Sequence, residues 1–347
     1  MSHNILGKQV GPIGYGLMGK NLLAQRSLID ANRSRGLTLR PHPDEVTFAA
    51  IRTALDAGCN WLNGGDFYGP PDANSLALVR RYLEKYPEDA DRIVLTVKGG
   101  LGPNFVPDGS KENVCRSIDN CIKTLGPAGR MTTFEVGRKD PNVDYEDDTL
   151  ATINQYVKDG RIDGISCSEV SANTLRSAAR KFKITAVEIE LSLFTTDPLK
   201  NGILEACGEL DIAVLAYSPL GRGFLGGQIK SAKDLPEDDL RVKMHPRWQG
   251  DNLLKNIQLA NNVETLAKKK GCTVSQIAIN WLLSLSRRPG MPKIIPIPGS
   301  TKPDRIRENA TIINLTDDDL RDIDDLLASF TPAGERYAAQ HMKYVNA

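Results

Sequence analysis

An alternation repeated eight times along the chain constrains its fold more than anything else: a short, almost continuously apolar segment, then a longer amphipathic one. The short segments span 10–17, 60–65, 92–98, 131–136, 162–167, 186–191, 212–217 and 293–297. Segments of this length and composition read as strands buried on both faces, the habit of parallel sheets covered by helices. The stretches between them carry apolar residues at helical spacing. Within 43–57 Val46, Ala49, Ala50, Thr53 and Leu55 share a side, and within 74–85 Leu76, Leu78, Val79, Tyr82 and Leu83 do. Further helical stretches follow at 113–125, 147–158, 171–181, 201–209, 253–269 and 275–285. Ser171 stands as a cap, and so does Thr316 with three aspartates behind it. Eight strand–helix units predict an α/β fold, a (β/α)8 TIM barrel. A doubly wound sheet is the runner-up. Gly14-Tyr15-Gly16-Leu17-Met18-Gly19 has the letters of a dinucleotide loop, but 20–40 offers neither a long clean helix nor an acid ending a second strand.

At 347 residues the chain is long enough for two ordinary domains or for one barrel. No composition break divides it, so a single barrel domain over 1–347 is expected. A long loop at 221–249 and a polar tail at 331–347 would lie over the barrel mouth, the loop as a cover for a cofactor. Lys and Arg number 44 against 43 Asp and Glu. That balance gives no reason to expect a nucleic acid or an anionic membrane as partner. Six scattered cysteines and four distant histidines support neither a disulfide framework nor a zinc site. No segment reads as a secretory leader or a spanning helix, so a cytoplasmic location is expected, with a nuclear share left open. A monomer or weak oligomer is expected.

In a barrel, catalysis sits where strands end at their C-terminal side. The second strand leaves through Asn63-Gly64-Gly65-Asp66-Phe67-Tyr68-Gly69, and the third ends in Lys98-Gly99-Gly100. The fourth runs into Gly137-Arg138-Lys139-Asp140, and the fifth ends in Ser166-Cys167-Ser168-Glu169. With these, the chain resembles the aldo-keto reductases over almost its whole length. The resemblance is carried by Gly-Asp-Phe-Tyr-Gly at 65–69 and Val-Lys-Gly at 97–99. Ala-Tyr-Ser-Pro-Leu-Gly-Arg-Gly at 216–223 and Ile-Pro-Ile-Pro-Gly-Ser-Thr-Lys at 295–302 extend it. Within the family it is most similar to the fungal pyridoxal reductases, through Val-Lys-Gly-Gly and Glu190-Leu-Ser-Leu-Phe194.

The resemblance implies an NADPH-dependent carbonyl reductase whose catalytic group contains Tyr68, Lys98 and Asn63. Elementary chemistry agrees for the first two. A carbonyl accepting hydride builds negative charge on oxygen and needs a proton. A phenol of pKa about 10 supplies one at neutral pH only with a cation beside it, and Lys98 would be that cation. The family's usual tetrad also has an Asp where this chain has Asn63 and a His where it has Gly137. An Asn can hydrogen-bond the lysine but cannot balance its charge. A Gly removes an oxyanion donor and would open space beside the aldehyde. Pyridoxal carries a ring hydroxyl beside its aldehyde and could offset that loss, so reduction of pyridoxal to pyridoxine is the expected reaction. Asp66 reads as a loop acid rather than a replacement carboxylate.

For the cofactor, the resemblance implies that Tyr217 stacks on the nicotinamide while Ser168, Glu169 and Glu188 face its carboxamide. Ser218, Pro219, Leu220, Gly221, Arg222 and Gly223 would wrap the pyrophosphate. Ser300, Thr301, Lys302 and Arg305, at a helix start, suit a dianionic 2′-phosphate and hence NADPH, with Glu308 and Asn309 on the adenine. No metal is expected. Cys59, Cys167, Cys207, Trp61 and Trp281 read as core, and His341 as a surface residue. Arg247 and Trp248 in the long loop are better candidates for touching a ligand. Two other readings stay open: a broader aldehyde or ketone reductase, and a non-catalytic NADPH-binding regulatory subunit.

Overall fold

The computed structural model describes residues 2–18, 23–25, 38–40, 42–235 and 239–347. Eight strands form one sheet in strict chain order: β1 (Tyr15–Gly16), β2 (Trp61–Gly65), β3 (Val94–Gly99), β4 (Thr133–Val136), β5 (Gly164–Ser168), β6 (Ile184–Glu190), β7 (Ala213–Tyr217) and β8 (Ile294–Pro296). A doubly wound sheet reverses its strand order at a switch point; here each strand neighbours its successor throughout. The fold is a (β/α)8 barrel. Gly19 and most of 20–40, on which the dinucleotide-loop alternative also rested, lie outside the described residues.

The longer helices are α1 (Asp44–Asp56), α2 (Ser75–Lys85), α3 (Lys111–Leu125), α4 (Ala151–Lys158), α5 (Ala172–Lys181), α6 (Ile203–Glu209), α7 (Gly250–Lys270), α8 (Val274–Leu285), α9 (Pro303–Ala310) and α10 (Asp317–Ser329). Their starts follow the capping logic of the sequence. Ser171 accepts a hydrogen bond from the Thr174 N–H, and Thr316 and Asp319 form a reciprocal capping box. One expected element differs. Val10 belongs to an antiparallel hairpin of His3–Ile5 with Lys8–Val10, and only Tyr15 and Gly16 join the large sheet. Pro12 has no N–H to give a ladder, and a side chain on Gly11 would run into the Gly58 carbonyl at 2.0 Å. The apolar run at 10–17 therefore breaks in two.

The chain divides into two compact units. The first comprises 1–137, 141–166 and 299–310. Along β2 to β5 it buries a polar ladder: Trp61 Nε1 donates to Thr96 Oγ1 at 2.8 Å, Thr96 meets Thr133 at 2.8 Å, and Ser166 donates to Thr133 at 2.9 Å. The opposite faces are apolar, with Leu62, Leu95, Val97 and Phe134 buried. Each such side chain contributes about 1.5–3 kcal/mol of transfer free energy. The second unit comprises 138–140, 167–298 and 311–347. Trp281 and Cys207 are fully buried in it, as expected of core residues, and His341 is exposed. Its long loop has an aromatic core of its own: Phe194 stacks on Phe224 at 4.8 Å, and Phe224 on Trp248 at 3.9 Å. Trp248 is only 1% exposed, stacked on Phe224 and with the Arg241 guanidinium 4.4 Å from its ring.

Candidate active site

In the first unit, the end of β2 and the following turn hold Tyr68. Asn74 caps α2 and donates to the Asp66 carbonyl, while Ser75 Oγ bridges the Gly65 N–H and C=O, each at 2.9 Å. The Tyr68 carbonyl accepts from the Ser75 N–H at 3.1 Å. The phenol ring lies directly over Gly65: a Cβ there would come within 2.9–3.1 Å of three ring carbons. Gly65 is the cross-strand neighbour of Lys98. The expected pair of phenol and ammonium thus converges on one glycine, with Tyr68 and Lys98 both buried. Asn63, two residues back on β2, is buried as well. Phe67 packs edge-on to Tyr68, and Phe105 edge-on to Phe67, so the phenol has an aromatic border.

Three features of this site did not come from the sequence. Lys98 Nζ stands 3.5 Å from Glu135 Oε1, with both side chains buried. The two residues are direct partners in the β3–β4 register. A glutamate between Phe134 and Val136 reads as an interruption of an apolar strand, and only the register reveals its neighbour. Second, the space expected beside Gly137 is bordered by Leu101, whose side-chain carbons lie 3.3–3.5 Å from where a Cβ would stand. The glycine removes the histidine's donor, but an apolar side chain borders the place. Third, Asp66 accepts from Ser117 Oγ at 2.7 Å, and burial raises its carboxyl above the usual range. Its carboxyl is thus tied to α3.

The first unit also holds the start of α9. Ser300 Oγ accepts from the Lys302 N–H, and the Ser300 carbonyl accepts from the buried Tyr15 hydroxyl, which anchors that segment to β1. Lys302 is exposed, Thr301, Arg305 and Glu308 are half-buried, and Asn309 is buried. Cationic and hydroxyl groups thus stand together at a helix start.

In the second unit, Ser168 ends β5 with Glu169 just beyond it, Glu188 and Glu190 lie on β6, and Tyr217 ends β7. Tyr217 donates to Glu169 Oε1 at 2.7 Å and meets the Tyr337 hydroxyl at 2.9 Å. Burial and the Glu169 carboxylate hold its phenol well above the ordinary value, so it stays a neutral donor. Glu169 is itself ion-paired with Arg336 at 3.1 Å. Burial alone would raise its carboxyl, but Arg336 and Arg138 hold it below the usual range. Arg222 reaches Glu190 and His245 Nε2, each at 2.9 Å, while His245 Nδ1 lies 3.1 Å from the Arg336 carbonyl. A guanidinium donating to Nε2 fixes the proton on Nδ1, so His245 is neutral. Burial and the Arg222 charge push its pKa down to about 4. The tail thus enters this network through Arg336 and Tyr337, roles the sequence left open.

Two local observations fit a nicotinamide dinucleotide. Ser168 Oγ is fully buried with no hydrogen-bond partner among the described residues, as a donor awaiting a carboxamide would be. Ser218, Gly221, Arg222 and Gly223 all have positive φ, between 51° and 114°. Successive left-handed residues form backbone concavities that hold anions. Pro219 and Leu220 complete that turn.

The model of the Aldo/keto reductase family matches residues 9–328. The chain belongs to the aldo/keto reductase family. A Schizosaccharomyces pombe protein named "Probable pyridoxal reductase 2" is 35% identical, the match covering 96% of each chain. A Saccharomyces cerevisiae relative named for the same activity is 32% identical over 93% of this chain and 95% of its own. Among solved structures, a glycerol dehydrogenase from Gluconobacter oxydans superposes with a TM-score of 0.78 at 22% identity, covering 96% of this chain and 97% of its own. A thermostable aldo-keto reductase in complex with the inhibitor epalrestat gives 0.67 at 20% identity, over 94% and 99%. These likenesses make the chain an oxidoreductase of this family, whose members use NAD(P)H. Among the described residues no helix is long and apolar enough to cross a membrane.

Proposed function

We propose that the protein reduces the aldehyde of pyridoxal to the alcohol with NADPH. The observation that carries this reading is the buried Tyr68 ring resting on Gly65, directly across from Lys98. Bound NADPH supplies hydride to the carbonyl carbon. Tyr68 donates its phenolic proton to the carbonyl oxygen as charge develops there, and the Lys98 ammonium stabilises the phenolate left behind. Asn63 supplies an amide on the same face of β2. With Gly137 in place of a donor and Leu101 beside it, the oxyanion receives less help from the protein. A substrate whose own ring hydroxyl can hydrogen-bond that oxygen fits such a site better than a plain aromatic aldehyde. The fungal relatives named for pyridoxal reduction support the same choice.

For the cofactor, Ser168 and Tyr217 in the second unit would meet the nicotinamide, and its turn at 218–223 the pyrophosphate. In the first unit, Ser300, Thr301, Lys302 and Arg305 would hold the 2′-phosphate, which favours NADPH over NADH. Stopped-flow oxidation of NADPH with pyridoxal and with simple aromatic aldehydes tests the reading in the parent and in Tyr68→Phe. The expected result is turnover that favours pyridoxal and falls by about 10²–10⁴-fold in the variant. Equal turnover of all aldehydes would sink the pyridoxal assignment. Tight NADPH binding with negligible turnover in both proteins would identify a cofactor sensor instead.

A further inference from the structure

We propose that Glu135 is the counter-charge of Lys98, so that a carboxylate on β4 does here what the tetrad aspartate on β2 does elsewhere in the family. The inference rests on the reductase reading and deepens it. Lys98 Nζ and Glu135 Oε1 are 3.5 Å apart, the lysine side chain 6% exposed and the glutamate fully buried. Their pairing follows from register. Lys98 and Glu135 are direct cross-strand neighbours in a parallel pair. Thr96 and Thr133, one pleat earlier on the same face, are also direct neighbours and hydrogen-bonded. Both side chains are therefore fixed on the face that carries the polar ladder, one step nearer the strands' C-terminal ends.

The physical need is plain. An ammonium removed from water without an opposite charge gives up its proton readily, and a carboxylate in the same place takes one up. Side by side, each keeps the other ionised. Asn63 is neutral and cannot do this. Around Lys98 in the first unit, β2 and its turn present Tyr68 and Asp66, and β4 presents Glu135. The carboxyl of Asp66 is turned to Ser117 on α3, where Arg116 and Cys121 face it. Glu135 is thus placed to set the charge that Tyr68 feels. It touches no reacting atom in the proposed mechanism and acts through Lys98, as a positioning residue.

Removing the carboxylate has a predictable sign. In Glu135→Gln, Lys98 keeps its charge less well as pH rises, and while charged it is no longer balanced, so it draws the Tyr68 proton off more easily. Both changes bring the loss of the active form, charged Lys98 with protonated Tyr68, to lower pH. The test uses tyrosinate absorbance of the full chain, with the Tyr68 step taken as the difference from a matched Tyr68→Phe protein. It is compared with the pH profile of kcat/KM for pyridoxal. Glu135→Gln is expected to move the Tyr68 step and the basic limb down by about one pH unit or more, with KM for NADPH unchanged. Asn63→Asp in that background is expected to bring both back, since it returns a carboxylate from the other side. A purely structural role for Glu135 predicts no such rescue.

A basic limb and a Tyr68 step both unmoved in Glu135→Gln, or a shift that Asn63→Asp leaves in place, overturn the proposal. Should Glu135→Gln not fold, Glu135→Asp serves instead. Its shorter side chain draws the charge away from Nζ, so a smaller shift in the same direction supports the pairing and none overturns it. If the parent reduces no carbonyl, the reductase reading fails, while the tyrosinate titration still decides the pairing.

Discussion

Tyr68 owes its place to a residue with no side chain. Its ring covers the Gly65 Cα so closely that a methyl group would meet three ring carbons at 2.9–3.1 Å, and the turn behind it is tied by Ser75 and Asn74. Gly65→Ala should therefore displace the phenol and leave the fold intact. Displacements on the order of 1 Å cost about 10²-fold in rate, so kcat for pyridoxal should drop by that order with KM for NADPH little changed. Steady-state kinetics decide this, and an unaltered kcat would mean that the ring is not held there. His245 makes a second prediction at this scale. Its pKa falls from 6.5 in the unfolded chain to about 4 in the fold. Between those values the unfolded chain binds a proton that the folded one refuses, so stability is lost as pH falls from about 6.5 to about 4. The ring is partly exposed, and allowing for solvent screening the loss is on the order of 1–2 kcal/mol. Urea midpoints at pH 7 and pH 5 should differ in the parent and differ less in His245→Gln. Tyr68 and Lys98 were legible in the sequence because each closes an apolar strand or opens a glycine-bracketed turn. Glu135 was not, because its meaning lies in a register that sequence spacing does not carry.

At the scale of elements, apolar strands and amphipathic helices were legible because each is specified locally, by period and by caps. The exception has a local cause that was also present in the letters: Gly11 and Pro12 inside the first apolar run, where no ladder can continue. What local reading could not supply is how the tail joins the second unit. Arg336 comes from an irregular segment, yet it is 8% exposed and paired with Glu169 at 3.1 Å, with Glu190 at 3.8 Å. The backbone of Ala347 also pairs with Glu169 and Ser171 at the start of α5. A tail held by a buried ion pair is part of the packing, and removing one partner leaves the other charged and buried. Arg336→Met should destabilise the protein by about 3 kcal/mol, read as a lower urea midpoint. Loosening Glu169 also frees Tyr217, so NADPH affinity should weaken in the same variant. An unchanged midpoint would show the tail to be an ornament of the surface rather than a structural member.

For the molecule as a whole, the near balance of 44 basic and 43 acidic residues means that no long-range field selects the cofactor. Discrimination between NADPH and NADH must then be local, at groups that can meet one extra phosphate. The start of α9 brings together Ser300, Thr301, Lys302 and Arg305, and Lys302 is exposed. Binding to the folded chain alone stabilises it by mass action, about 2.7 kcal/mol at a hundredfold excess over Kd. For a chain of this length that is a rise of about 4 °C in the unfolding midpoint. NADPH should therefore raise the midpoint by several degrees, and NADH at the same concentration by visibly less. Lys302→Ala should bring the NADPH shift down toward the NADH shift while leaving the NADH shift in place, because only the 2′-phosphate contact is lost. The comparison needs no turnover, so it separates cofactor choice from catalysis. Equal shifts for the two cofactors in the parent would move the discriminating charge away from α9, leaving the helix start as an ordinary solvated terminus.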